Sequence, residues 1–374
     1  MKKWQRQLSA VALTTVLGLG GVVTAASAAT YNQKGNALAN YNVKKYKTVK
    51  NKNYYQKAYA YQAAPNYNRG GLYQTKPGTI KRTAGTVKTL KFKTNVYLPV
   101  TYATSGDWGN PQSEVLSKSG KTLYTLVMLN KGTQTGRIVK YNLGKLRSKF
   151  NISTTNMTAL RRATYDKSVN QLTATDRQIL KYVKVGPTFN AGHGQSLAQN
   201  PKTGELWFVG AAAVHANVQR VSTKTLKPNK RINFTLKSTV AMGENLTFDK
   251  KGNAYFYTYS NGGWAPKNTL KIYKGKINKK SVKFHLIMQG LRHNPGWKSQ
   301  SIAYNAKNNR LYFVSNSSIS SVPVSKLGKL KAKDVKAVKL SGKREFEGLQ
   351  FDKKGAGYLL VNRGSEILKT TNKF

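Results

Sequence analysis

The sequence predicts an all-β fold, a five-bladed β-propeller, on three observations. The first is a five-fold repeat. Glu347-Gly-Leu-Gln-Phe-Asp-Lys-Lys-Gly-Ala-Gly-Tyr358 has a near-copy in Glu244-Asn-Leu-Thr-Phe-Asp-Lys-Lys-Gly-Asn-Ala-Tyr255, and looser copies begin at Gln112, Gln195 and Gln300. Each copy runs from Gln or Glu through a small residue, a short apolar strand and a polar turn to an aromatic-rich strand. The Gln or Glu precedes the first aromatic of that second strand by 11 or 12 residues in all five. The second observation is a third strand pattern after each pair: Arg137–Leu143, Val218–Val221, Thr269–Tyr273, Ser318–Pro323 and Glu366–Lys369. A fourth follows the middle copies at Arg231–Leu236, Val282–Ile287 and Val335–Leu340. The third is spacing: the starts at 112, 195, 244, 300 and 347 leave gaps of 83, 49, 56 and 47. Four antiparallel strands every ~45 to 50 residues make a propeller blade.

In chain order, residues 1–28 read as a secretory signal. Lys2, Lys3 and Arg6 form the basic region, Leu8 to roughly Ala25 the apolar region, and Ala26-Ser27-Ala28 the cleavage site. Residues 29–85 are rich in Tyr, Asn, Lys and Gln with weak apolar periodicity, and read as a disordered basic tail. It serves either as a tether whose tyrosines stack on sugars or as a plain solubilising linker. The propeller then spans 86–374. The last repeat has three strands before Phe374, so Lys88–Lys93 is expected to supply its outer strand and close the ring. The long first gap holds an insertion, about 154–184, with helical spacing over Asn156–Tyr165 and Thr175–Val183 and Thr175 as the expected cap. Asp249-Lys-Lys-Gly252 and Asp352-Lys-Lys-Gly355 are turn sequences; each offers one carboxylate, too few for a calcium loop.

The formal charge is +52, or +49 once Lys2, Lys3 and Arg6 leave with the signal, and all twelve carboxylates lie at or after Asp107. Such a chain concentrates polyanions around itself, in a salt-dependent way. For an exported protein these are cell-wall teichoic acids or acidic glycans and anionic membrane surfaces, with nucleic acid behind them. Lys (50) outnumbers Arg (14), which suits diffuse attraction better than bidentate phosphate recognition. No cysteine is present, which excludes thiol catalysis and Cys-ligated metals. Neither a Gly-x-Ser-x-Gly elbow nor a phosphate-cradling glycine loop occurs, four scattered histidines lack ligand spacing, and no cofactor or metal site is expected.

In a propeller the first strand of each blade lines the central channel, so Gln112, Gln195, Glu244, Gln300 and Glu347 are expected to ring its entrance. Trp108, His193, Met242, Trp297, Glu345 and Phe346 stand beside them in sequence. Amide, carboxyl, imidazole and aromatic groups together suit a glycan or small polar ligand. Buried Gln and Glu also serve to hold neighbouring blades together. Paired carboxylates across a funnel perform glycoside hydrolysis, with Glu244 and Glu347 as candidates and Glu114 or Glu345 in support. A strongly positive protein lowers carboxyl pKa values, which works against a general acid.

At His193-Gly-Gln195-Ser the repeats resemble the helveticin J family, class III bacteriocins of lactobacilli. The resemblance runs over roughly Thr86 to Phe374 and is carried by short His-x-Gln/Glu-small motifs before strands; here His occupies only one of the five repeat starts. It implies a propeller and a secreted protein acting on bacterial envelopes. The sequence therefore points first to a bacteriocin-like envelope-binding protein. A non-lytic surface or adhesion protein and a glycosidase are the alternatives.

Overall fold

The second strand of every repeat is apolar on both faces because it is covered on both. Leu206–Ala211 and Arg310–Ser315 are buried along nearly their whole length, while the outer Pro228–Thr235 alternates over much of its length between buried and solvent-facing residues. In the computed structural model, which describes residues 28–54, 61, 77–100, 108–129, 133–237, 240–259, 269–362 and 364–372, these strands build an all-β, propeller-like and nearly closed architecture.

The repeats pair as antiparallel meanders. Asn110–Leu116, Leu123–Met128 and Thr135–Tyr141 are followed by Val183–Val185 and Phe189–Asn190, which both pair with the third strand. Ala198–Gln199, Leu206–Ala211, His215–Val221 and Pro228–Thr235 form the next sheet. Thr247–Phe248, Ala254–Thr258, Lys271–Ile277 and Val282–Leu286 form another. Ser299–Asn305, Arg310–Ser315, Ser318–Pro323 and Lys336–Leu340 follow. In the last, Glu345–Phe351, Gly357–Asn362 and Glu366–Thr370 are completed by Lys91–Tyr97. The strand before the first repeat thus closes the last sheet, shifted a few residues from the expected Lys88–Lys93. The first strands touch one another in cyclic order, so they surround a common axis.

The segment expected to be a disordered tail is ordered over most of its described length. Ala29–Asn36 adds in parallel to the edge of Pro228–Thr235, and Lys47–Val49 pairs in parallel with Gln289–Leu291. Leu38, Tyr46 and Val49 are buried, with the Tyr46 hydroxyl on the Leu270 carbonyl. Thr79–Gly85 pairs with both Lys336–Leu340 and Lys91–Tyr97, joining two meanders into one nine-stranded sheet. Exposed strand edges gain backbone hydrogen bonds from this segment, which overrides its weak apolar pattern. Residues 1–27, the signal reading, and residues 55–60 and 62–76 of the expected tail lie outside the described residues. No helix among the described residues is long and apolar enough to cross a membrane.

The insertion begins earlier than expected and holds three helices: α1 (Leu143–Phe150), α2 (Ala159–Ser168) and α3 (Ala174–Leu180). The cap of α3 is Thr173, not Thr175. Its side chain accepts from Asp176 N at 3.1 Å while Asp176 Oδ2 accepts from Thr173 N at 3.0 Å, a capping box that Thr175 cannot form. Arg161 of α2, fully buried, donates to the Leu98 carbonyl at 3.1 Å and the Ser365 carbonyl at 2.8 Å, and its guanidinium lies over the Tyr97 ring. The insertion is therefore bonded to the closing strand and to the last meander.

Candidate functional site at the channel

Gln112, Gln300 and Glu347 share a local feature that aims them. The pairing register of each first strand slips at that residue, between Pro111 and Ser113, between Ser299 and Ser301, and between Phe346 and Gly348. A bulge leaves one residue out of the ladder and re-aims its side chain. These three and Gln195 are buried and meet across the axis. Glu347 accepts from Gln112 Nε2 at 3.4 Å, Gln195 Nε2 at 3.3 Å and Asn362 Nδ2 at 3.3 Å. Gln195 Nε2 also donates to Gln300 Oε1, and Gln300 Nε2 to Asn316 Oδ1 at 3.0 Å. Asn316 Nδ2 reaches the Tyr61 hydroxyl at 2.9 Å, and the Tyr61 ring packs against half-buried Trp297 at 5.8 Å. Four of the five expected ring residues thus form one hydrogen-bonded cluster, with a tyrosine from the N-terminal segment at its end.

The small residue after each Gln or Glu has a physical reason. Ser113 Oγ donates to the Gly194 carbonyl and accepts from Leu197 N, joining adjacent first strands. A Cβ on Gly348 would stand 3.1 Å from Glu114 Cγ, so glycine leaves room for that side chain.

Of the other expected site residues, Phe346 joins the cluster through its backbone N–H, which donates to Asn316 Oδ1 at 2.9 Å. Glu244 is exposed, and the buried amide of this repeat is instead the next residue, Asn245, whose side chain bonds both Tyr257 N and Tyr257 O. His193 is exposed. Trp108 and Met242 are buried in apolar clusters, and Phe346 in a third. Glu345 is half-buried in the ladder opposite Asn362. Glu114 is fully buried, and loss of solvent pushes its carboxyl well above the usual range, against a partial offset from the Leu360 backbone. The carboxylate pair for glycoside hydrolysis is not assembled: Glu347 is enclosed by amides and Glu244 faces solvent ahead of another first strand. Among the described residues no cluster of His, Asp and Glu has the makings of a metal site.

The turns behave as their sequences predict. Asp249 Oδ1 accepts from Lys251 N and Asn253 N, its Oδ2 accepts from Asn253 Nδ2 and the Tyr255 hydroxyl, and Gly252 has φ +74°. Asp352 Oδ1 accepts likewise from Lys354 N and Ala356 N. These carboxylates are spent on their own turns and not offered to calcium.

What the sequence reading missed lies at the opposite end of the axis, where the first strands end in those turns. A cavity of about 370 Å³ opens there, and every repeat contributes to it, through Leu116, Gln199, Phe248, Tyr304 and Phe351 among others. The signal was present in the repeat itself: a lysine stands six or seven residues after each Gln or Glu, at 118, 202, 250, 307 and 353.

No family model and no curated protein matches the chain. Solved structures that align with it are distant. A protein of unknown function from Bacteroides thetaiotaomicron is 8% identical, with 79% of this chain and 76% of that one covered and a TM-score of 0.40. A luciferin-regenerating enzyme is 11% identical over 79% and 76%, with a TM-score of 0.34. An auxiliary nutrient binding protein from Bacteroides thetaiotaomicron is 11% identical over 79% and 77%, with a TM-score of 0.36.

Proposed function

We propose that the chain is an exported five-bladed β-propeller that binds anionic polymers of the bacterial envelope, as the likeness to helveticin J-type bacteriocins implies. The blade count is supported by five repeat meanders whose first strands follow one another around the axis. The observation that carries the binding reading is where the acidic groups go. Against 64 Lys and Arg stand twelve Asp and Glu, and five of those twelve, Glu114, Asp176, Asp249, Glu347 and Glu366, are buried. Glu205 and Asp334 are paired with Arg220 and Lys326. Solvent meets lysines with few carboxylates among them, so a polyanion at the surface meets little negative charge at close range. Polyanions are drawn to such a surface from several ångströms away, and added salt weakens the attraction.

The test is binding of the mature protein to purified cell walls before and after teichoic-acid removal, across a salt series. Loss of binding with the polymer, and steep loss between low and high salt, is the expected result. Salt-resistant binding to stripped walls would overturn the proposal. Killing of related bacteria by the bound protein separates the bacteriocin reading from a non-lytic surface role.

A further inference from the structure

We infer that the cavity at the turn end of the channel is a binding site for a phosphorylated sugar or polyol. The inference rests on the polyanion-binding reading above and gives it a specific pocket, at the end opposite the amide cluster.

Three features of the cavity converge on that chemistry. The first is charge. Lys118, Lys250, Lys307 and Lys353 line it with Asp352 as the one acidic lining residue, a formal balance of 4 − 1 = +3. The Asp352 carboxyl is already committed to the Lys354 and Ala356 amides and, through Oδ2, to the Tyr358 hydroxyl, so it opposes an incoming anion less than its formal charge indicates. The four lysines are exposed. Lysine acts on phosphate as a point charge, without the planar fork by which arginine selects a bidentate partner.

The second is the floor. Phe248 is buried, Tyr304 and Phe351 are half-buried, and Val115, Leu116 and Ala198 complete an apolar base. Aromatic faces of this kind pack against the C–H faces of a sugar ring or polyol chain. Gln199 and Gln350 add polar groups at the wall. Their amide nitrogens are directed to the Gly204 and Glu114 carbonyls at 3.0 Å each, which leaves both side-chain oxygens to accept from ligand hydroxyls. A simple anion has no use for such a floor. An uncharged sugar has no use for the lysines.

The third is rigidity. The turn backbones carrying Lys250, Lys307 and Lys353 are fixed by one repeated device, in which Asp249, Asn305 and Asp352 each accept from the backbone N–H two residues on, and Asn200 does the same in the remaining turn beside the cavity. Neighbouring turns then lock together. Lys353 N donates to the Lys118 carbonyl at 3.0 Å, and a Cβ on Gly355 would meet Lys307 Cβ at 3.0 Å. The backbone positions that carry the charges are therefore held before any ligand arrives, which lowers part of the ordering cost of binding. A volume of about 370 Å³ suits one phosphorylated unit. That unit is the end of a phosphate-linked wall polymer or a free sugar phosphate; the chemistry is common to both.

The test is calorimetric titration of the mature protein with glucose 6-phosphate, glycerol 3-phosphate, glucose and inorganic phosphate at a fixed salt concentration. One-to-one binding of a phosphate ester, at least ten-fold tighter than inorganic phosphate and glucose, is expected. Replacing Lys118, Lys250, Lys307 and Lys353 together by Ser should weaken it at least 100-fold, while the same change at exposed Lys44, Lys45, Lys88 and Lys343 should change it less than three-fold. Phe351→Ala should weaken the ester at least five-fold and leave inorganic phosphate alone. Equal losses in the two quadruple variants, or no ester binding by the unaltered protein, would overturn the pocket. Wall binding read on the same samples keeps the two ideas apart. Salt-sensitive wall binding without ester binding sinks only the pocket, and ester binding without wall binding sinks only the envelope reading. Titration with purified teichoic acid then tells polymer from free ligand: competition with the ester identifies the polymer end as a source, and its absence leaves the free sugar phosphate.

Discussion

Gln195 Nε2 lies 3.3 Å from Glu347 Oε2, a hydrogen bond between first strands that are not neighbours around the axis. The bond from Gln195 to Gln300 likewise passes over the repeat that contains Glu244. The channel end is thus spanned by side chains from four repeats while the fifth stays out. Buried amides and a carboxyl that satisfy one another across a ring tie distant parts of the chain together and leave little polar capacity for a ligand. That arrangement favours a joining role for these residues and moves the ligand question to the far mouth.

Glu347→Ala should therefore behave as a core mutation. It strips an acceptor from Gln112, Gln195 and Asn362, and orphaned buried donors cost about 1 to 3 kcal/mol each, so a loss of about 3 kcal/mol or more is expected. Exposed Glu244→Ala should stay within about 0.5 kcal/mol. Paired urea melts of the two variants provide the check; equal losses would show that the cluster does not hold the ring.

Glu114→Gln should change how stability depends on pH. Desolvation raises the folded carboxyl well above its unfolded value near 4.5, so the proton it holds contributes stability that is full below about pH 4.5 and is lost as pH rises through the folded value. The amide has no proton to lose. The variant should match the unaltered protein near pH 4.5 and melt progressively higher than it toward pH 9, which calorimetric Tm values across that range will show.

Arg161→Ala should release the helical insertion. The guanidinium satisfies the Leu98 and Ser365 carbonyls and covers the Tyr97 ring, so its loss leaves buried acceptors and a void, a cost of about 3 kcal/mol. Amide exchange should rise in α1 to α3 and in Lys91–Tyr97 before it rises in Leu206–Ala211. Uniform change across all strands would argue that α2 is not a separable brace.

Removing residues 29–54 should destabilise the β-structure instead of trimming a free tail. Leu38, Tyr46 and Val49 leave the core and the edges of Pro228–Thr235 and Gln289–Leu291 lose their parallel partners, on the order of 5 kcal/mol in buried apolar surface alone. A truncated chain with unchanged Tm would contradict the packing described here.

Much of the β-structure was legible because the repeat is a backbone statement. Turn residues at Asp249-Lys-Lys-Gly252 and Asp352-Lys-Lys-Gly355 need Asp acceptors and positive φ, and strands such as Leu206–Ala211 need apolar residues on both faces. Those requirements are local and leave a mark at fixed spacing. The order of the N-terminal segment leaves no such mark, for the converse reason. Ala29–Asn36 is stabilised by backbone pairing to a strand some 200 residues away, and backbone hydrogen bonds ask nothing of the side chains. Thr173 and not Thr175 caps α3 because a capping box needs a reciprocal bond with Asp176, which composition does not reveal.

By itself the sequence determined the repeat, the strands and turns within it, the closing role of a strand ahead of the first repeat, and the excess of lysine. Each follows from local backbone and side-chain chemistry, or from a simple sum of charges. Only the tertiary structure decided which end of the axis offers a cavity, which of the five equivalent Gln and Glu residues meet, and which carboxylates are hidden from solvent. Equivalent positions in a repeat become inequivalent when one repeat buries the following residue in place of the first, as Asn245 does beside exposed Glu244, and burial is set by neighbours from other repeats. Four of the five repeat lysines gain their meaning the same way: each is an ordinary solvated side chain in its own repeat, and only ring closure brings Lys118, Lys250, Lys307 and Lys353 around one pocket.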